Sequence, residues 1–263
     1  MKKILLPLLF FVLISFSALA QIPMKKGKEQ EVCGFATFTA GAALPTQHFR
    51  SAYGDYYYHN ASGFAMNGYS GTLDLGLTFP KEFCEISLKT SYASNQFDMD
   101  RYLRFLREPP TQVYPQPGGA GVTYSPISSG FYKYISFVLK VEAEVPVKKF
   151  AFGFFCGAGT ARFLSFPDVK VAMDSASNHV VTGFSADNHF GTTLNYGVTA
   201  TYHCNAHFYI KLIGDFLYSH YVFNLNYITA HETGNVWYTK EEPLHYALPV
   251  TAVNVTVGMG YRF

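Results

Sequence analysis

The sequence predicts an all-β fold, one antiparallel up-and-down transmembrane β-barrel of eight strands, and three observations predict it. Charged residues make up 14% of the 263-residue chain and aromatic residues 17%. Ordinary soluble domains are about 25% charged, so this balance suits a lipid-facing surface. After residue 31 no run approaches the roughly 18 consecutive apolar residues of a membrane helix, so a spanning chain has to span as strands. Several segments alternate apolar with polar or small residues at period two, as strands do between lipid and a lumen. A formal charge of +2 without Lys/Arg runs excludes nucleic acid as a partner.

The chain opens on a targeting signal. Lys2 and Lys3 precede an apolar run from Ile4 to about Phe16, and Ala18-Leu19-Ala20 stands before Gln21. That order predicts a signal peptide over 1–20 with cleavage near Ala20. No Cys follows the cleavage site, so no lipoprotein anchor is expected. Residues 21–31 read as a polar periplasmic lead-in, and 32–263 as the transmembrane barrel.

The strands follow in order. Cys33 to Leu44 is strand-like but mixes Gly, Ala and Phe on both faces. Gly71 to Phe79 turns Leu73, Leu75, Leu77 and Phe79 one way and Thr72, Asp74, Gly76 and Thr78 the other. The next strand sets Ile86, Leu88 and Tyr92 against Ser87, Lys89 and Ser91. Then Ile135, Phe137, Leu139, Val141 and Val145 oppose Ser136, Lys140, Glu142 and Glu144. Phe150 to Phe163 is again poor in parity. Leu194 to Tyr202 alternates with Thr193 to Thr201, and Phe208, Ile210, Leu212, Phe216 and Tyr218 with Tyr209, Lys211 and Asp215. The last strand is the clearest: Val253, Val255, Val257, Met259, Tyr261 and Phe263 against Ala252, Asn254, Thr256, Gly258, Gly260 and Arg262. Short connections near 80–83, 146–149 and 204–206 alternate with long ones near 45–67, 98–130, 165–189 and 223–245. The even count and this asymmetry predict short periplasmic turns, four long extracellular loops and periplasmic termini.

This pattern over residues 32 to 263 resembles the small OmpA/OmpX-type eight-stranded outer-membrane barrels. Its most specific piece is VTVGMGYRF at 255–263. Val257, Met259, Tyr261 and Phe263 look like the terminal signal read by the outer-membrane assembly machinery. The resemblance implies residence in the outer membrane of a Gram-negative bacterium, with that membrane, its lipopolysaccharide and the assembly machinery as partners. With the sequence stopping at Phe263, a barrel without a peptidoglycan-binding domain is expected.

An eight-stranded barrel is only wide enough for its own side chains. The predicted inward charges are Lys89, Lys140, Lys211 and Arg262 against Asp74, Glu142, Glu144 and Asp215, four of each sign. Mutual pairing is expected in so dry a space, giving a salt-bridged plug and no open pore. Specific function then falls to the loops. Tyr53, Tyr56, Tyr57 and Tyr58 suit contact with an extracellular protein or glycan, or an interfacial aromatic girdle. Arg101, Arg104 and Arg107 suit lipopolysaccharide phosphates, or a solvated loop face. VKVAMDSASNHVV and the flanks of His231-Glu232-Thr233-Gly234 read as hairpins projecting beyond the membrane.

Catalysis finds little support. Ser219 and His220 are adjacent, so a strand sends them to opposite faces, and Ser177 with His179 fall in a loop. The histidines show no metal-ligand spacing, and no metal or cofactor is expected. Cys33, Cys84 and Cys204 are expected at periplasmic ends of non-neighbouring strands, and Cys156 mid-strand, which argues against disulfides. The expectation is a non-enzymatic outer-membrane barrel with a structural or surface-interaction role. The alternatives are a component of a secretion or assembly machine and a lipid-modifying barrel enzyme. A soluble lipocalin-like carrier is disfavoured by the inward charges and terminal Phe263.

Overall fold

The computed structural model describes residues 32–50, 63–79, 84–107, 123–174, 179–186, 190–233 and 236–263. The signal and lead-in residues, Tyr53 to Tyr58 and Ser177 lie outside this set. Eleven strands form one antiparallel sheet: β1 (Cys33–Pro45), β2 (Ala65–Phe79), β3 (Cys84–Phe97), β4 (Thr123–Ser128), β5 (Phe131–Val147), β6 (Phe150–Ser165), β7 (Val169–Asp174), β8 (His179–Ala186), β9 (Phe190–His203), β10 (Phe208–Thr233) and β11 (Val236–Arg262). Two helices accompany them, α1 (Gln47–Arg50) and α2 (Met99–Arg107).

Eight strands close on themselves in the order β11-β1-β2-β3-β5-β6-β9-β10, with β10 pairing back to β11. Closure leaves no open edge in the wall, so every ladder group can be satisfied inside lipid. Parity does the sorting. Leu73, Leu75, Leu77, Leu139, Val198, Val255, Val257 and Met259 are exposed on the outside, while Thr72, Asp74, Lys140, Thr199, Asn254 and Thr256 are buried. On β5 the outward run from Phe137 to Val147 covers ten steps. At about 3.3 Å per residue and a tilt of about 40° that is about 25 Å of height, the thickness of an apolar belt. The protein is a transmembrane barrel with short turns at one end, where both ends of the described chain also lie. Lys148-Lys149 joins Val147 to Phe150. At residues 204–207 the Asn205 side-chain oxygen accepts the N–H groups of His207 and Phe208 at 2.9 and 2.8 Å.

Past the belt, at the extracellular end, the expected loops carry structure of their own. The stretch expected as a loop over 223–245 is instead a direct continuation of two strands, β10 at 26 residues and β11 at 27, paired in unbroken register to Thr233↔Val236. β8 adds to the upper half of β10 through Leu225↔Ala186 to Glu232↔His179, β7 adds to β8, and β4 to β7. The result is a five-stranded sheet, β11-β10-β8-β7-β4, rising from one side of the barrel mouth. Over 98–130, Asp98 opens α2 by accepting the Arg101 N–H at 2.9 Å, a side-chain cap of the kind that starts helices. Tyr102 and Leu103 are buried beneath it.

Candidate functional site: the filled lumen and its extracellular lid

Two levels of side chains fill the barrel. The lower level is ionic, and parity builds it, because alternate residues of seven strands converge on one axis. At the periplasmic end the Arg262 guanidinium lies 3.1 Å from Glu85 and 3.5 Å from Glu144. Lys211 Nζ stands at the centre, 3.1 Å from Glu85, 3.0 Å from Glu142 and 3.3 Å from Glu144. Lys140 Nζ continues the chain, donating to Glu142 at 2.9 Å and Asp74 at 2.8 Å. Above it Lys89 donates to Asp215 at 2.6 Å and to the Asn195 oxygen at 2.9 Å. Asn195 and Asn254 each donate to the other Asp215 oxygen. The Phe155 ring lies between Lys89 and Lys140, its centroid 5.0 and 5.2 Å from their ammonium groups. The Thr199 hydroxyl donates to Glu142. Gly153 makes room for that contact: a Cβ there would stand 2.6 Å from the Glu142 carboxylate.

All eight charges read as inward from the sequence belong to this network. Seven are buried, whereas the side chain of Arg262 is 23% exposed and marks the periplasmic rim. The sequence reading omitted Glu85, which is buried and shared between Lys211 and Arg262. Its parity with Ser87 and Lys89 is the signal that would have found it. With Glu85 the balance is five carboxylates to four cations instead of four each. Glu85, Glu142 and Glu144 are also the one grouping of three acidic or metal-ligating side chains among the described residues. Lys211 already supplies the positive charge at their centre.

The upper level is apolar. Tyr134, Leu217, Tyr221 and Phe163 come from the wall, Phe49 from α1, Tyr102 and Leu103 from α2, Tyr124 from β4, and Val169 and Val171 from β7. Phe163 packs on Tyr221 with ring centroids 4.3 Å apart, Phe49 meets Tyr132 edge-on at 5.1 Å, and Phe64 meets Tyr102 at 5.3 Å. The Tyr132 hydroxyl donates to the Gly63 carbonyl at 2.6 Å. This is a core of the kind found in soluble domains, seated in the barrel mouth. The two helices and the base of the outer sheet are its lid.

The arginines of 98–130 sit on α2, and they do not act as a group. Arg101 is partly buried and donates to the Arg50 carbonyl at 2.9 Å, Arg107 donates to the Tyr124 carbonyl at 3.4 Å, and Arg104 is exposed. Val257, Met259 and Tyr261 lie on the outer face of β11, and Phe263, one residue past its end, is exposed. Ser219 faces the lumen and donates to the Thr193 hydroxyl at 2.7 Å, while His220, one residue on, belongs to the outer face.

No protein-family model matches this sequence, and a search of curated proteins finds no match. Solved structures do resemble it. Neisserial surface protein A is 9% identical, with a TM-score of 0.41, over 89% of this chain and 100% of that one. Ail, the attachment invasion locus protein of Yersinia pestis, is 13% identical at TM-score 0.35, over 88% and 99%. The outer membrane protease OmpT of Escherichia coli is 8% identical at TM-score 0.33, over 91% and 99%. Assignment as a transmembrane barrel rests on the closed pairing, the apolar belt and the buried charges.

Proposed function

We propose that this chain is a closed, non-enzymatic barrel of a Gram-negative outer membrane, and that its work is to hold a rigid extracellular ridge for contact with other surfaces. Cleavage near Ala20 would deliver the barrel to the periplasm, and the outer face of 257–263 would serve its assembly. The observation that carries the reading is the joint architecture of lumen and ridge. An ion-paired layer and an aromatic core occupy the lumen, which favours a support over a channel. Meanwhile β10 and β11 run on for about 12 residues past the belt, about 40 Å of strand. A ladder of this length, braced by three further strands, costs chain entropy that a simple return loop would not require.

Two measurements on one pair of proteins test this. The full chain and a variant in which 225–246 are replaced by a two-residue turn are displayed on cells and scored for adhesion to extracellular-matrix proteins and glycans. Both are also reconstituted in planar bilayers. Ridge-dependent adhesion without discrete conductance is the expected result. Equal adhesion by the trimmed variant, or steady single-channel currents from the full chain, would overturn the reading.

A further inference from the structure

The charges of the lumen do not cancel, and one carboxylate shows where the difference lies. Asp74, Glu85, Glu142, Glu144 and Asp215 face Lys89, Lys140, Lys211 and Arg262, an excess of one negative charge in a buried space. Four of the five carboxylates have both oxygens engaged. Asp215 accepts from Lys89 on one oxygen and from Asn195 and Asn254 on the other. Glu142 takes Lys140 and Lys211 on one and Thr199 on the other. Glu85 takes Lys211 on one and both Thr78 and Arg262 on the other, while Glu144 divides its oxygens between Lys211 and Arg262. Asp74 differs. Its Oδ2 meets Lys140 at 2.8 Å, and its Oδ1 is buried with no hydrogen-bond partner among the described residues.

The residues around that oxygen are small and carry oxygens of their own. Asp74 pairs with Lys89 and Gly76 with Ser87, so Ser87 is the diagonal neighbour of Asp74 across the β2–β3 ladder. Diagonal partners on one face lie about 7–8 Å apart, near enough for one ion to be held between their side-chain oxygens. The Ser87 hydroxyl is likewise buried without a partner, and both residues are no more than 2% exposed. Gly76 leaves the wall beside them bare: a Cβ there would stand 2.5 Å from that of Ser87. On the other side of Asp74, β1 sets Thr37 directly opposite. The nearest cation in register, Lys89, is turned away to Asp215 and Asn195.

A carboxylate oxygen and a hydroxyl oxygen buried side by side without a donor are costly unless a positive group satisfies them. Water would donate to both and leave the charge uncancelled. A monovalent ion cancels a deficit of one charge, a divalent ion overshoots it, and hard oxygen donors suit a hard cation. We infer that Asp74 and Ser87 bind a sodium ion, taken up as the barrel folds and held as the fifth cation of the lumen. Asp74 Oδ1 supplies the charge, the Ser87 hydroxyl a neutral oxygen, and Lys140 anchors the far side of the carboxylate. The site does not rest on the contact proposed for the ridge.

The test follows urea unfolding of the full chain in phosphatidylcholine vesicles at one ionic strength, while N-methylglucamine chloride is exchanged for sodium chloride. An ion bound by the folded state alone shifts the folding equilibrium about tenfold for each tenfold rise in its concentration above Kd. The wild type should show that shift. Ser87→Ala should weaken the apparent sodium affinity by about tenfold or more, and Asp74→Asn should abolish the response. Ser136→Ala removes another buried, unpartnered hydroxyl, one set between Ser91 and Ala161, and should respond as the wild type does. A wild-type equilibrium indifferent to sodium, a response that survives both Ser87→Ala and Asp74→Asn, or one lost equally in Ser136→Ala overturns the inference. If Asp74→Asn does not fold, the wild type and Ser87→Ala still decide.

Discussion

Lys211→Met removes one ammonium from the middle of the lumen and leaves its neighbours in place. Methionine fills most of the lysine's volume, so the packing loss is small and the change is chiefly one of charge. Three carboxylates at 3.0 to 3.3 Å then lose their shared cation. Glu142 retains Lys140 at 2.9 Å, and Glu85 and Glu144 retain Arg262 at 3.1 and 3.5 Å. The excess over the remaining three cations rises from one negative charge to two. Removing one partner of a buried ion pair costs about 3–5 kcal/mol, and a hub with three partners belongs at the upper end of that range. The assay is equilibrium unfolding in urea from lipid vesicles, comparing Lys211→Met with Lys170→Met, whose side chain is 43% exposed and whose ion pair is solvated. The exposed variant should change stability by no more than about 0.5 kcal/mol. The defect of the buried variant must also shrink when Glu144→Gln is added to it, because that second change removes one uncompensated negative charge. A loss below about 1 kcal/mol, or a loss that the added Glu144→Gln leaves unaltered, would refute the account of Lys211 as the cation that balances this cluster.

Three other perturbations probe the wall, the ionic layer and the lid. Leu75→Arg or Val255→Arg, at exposed outward positions, should lower folding stability in bilayers by about 2–4 kcal/mol, whereas Thr256→Ser in the lumen should be silent in the same measurement; equal tolerance at both faces would contradict the parity. Phe155→Leu takes away the ring between Lys89 and Lys140 and should cost about 2–4 kcal/mol in urea unfolding, combining lost volume with two desolvated cation–ring contacts. Phe49→Ala empties the position that α1 fills in the mouth core, so proteolysis around 46–50 on intact cells should accelerate while the boiled and unboiled gel bands stay separated.

How much of this was legible in the sequence depended on whether one physical constraint dominated a segment. Along β5 and β11 one face meets lipid and the other a charged or crowded lumen, so period two is written plainly in Ile135 to Val145 and Val253 to Phe263. β6 obeys the same rule but hides it. Its lumen face carries Phe155 and Phe163 but is otherwise Ala151, Gly153, Gly157, Gly159 and Ala161, where lysine and glutamate side chains from other strands need the space in front, so both faces of the strand read as apolar. Glu85 has correct parity, yet it stands beside a turn where charge is ordinary. The lid was illegible for a different reason. α1 is four residues long, too short to show a period, and its Phe49 gains its burial from Tyr132 and Tyr134, residues more than 80 positions away. Helix α2 likewise depends on a core that its own residues only partly supply. The ridge was read in part: its hairpins were visible as strand-like flanks, but their fusion with barrel strands into elements of 26 and 27 residues was not.

That fusion has a mechanical consequence. β11 is at once the inner rail of the ridge and the strand that closes the barrel, flanked below by β1 and β10. A pull on the ridge tip along the strand direction therefore cannot open the wall one bond at a time. It loads the ladder from Phe35↔Arg262 to Pro45↔Ala252 in shear, together with the facing ladder to β10, so rupture requires many hydrogen bonds to fail in concert. A tether built this way transmits tension from the cell surroundings straight into the membrane-embedded wall, with no flexible joint between them to yield first.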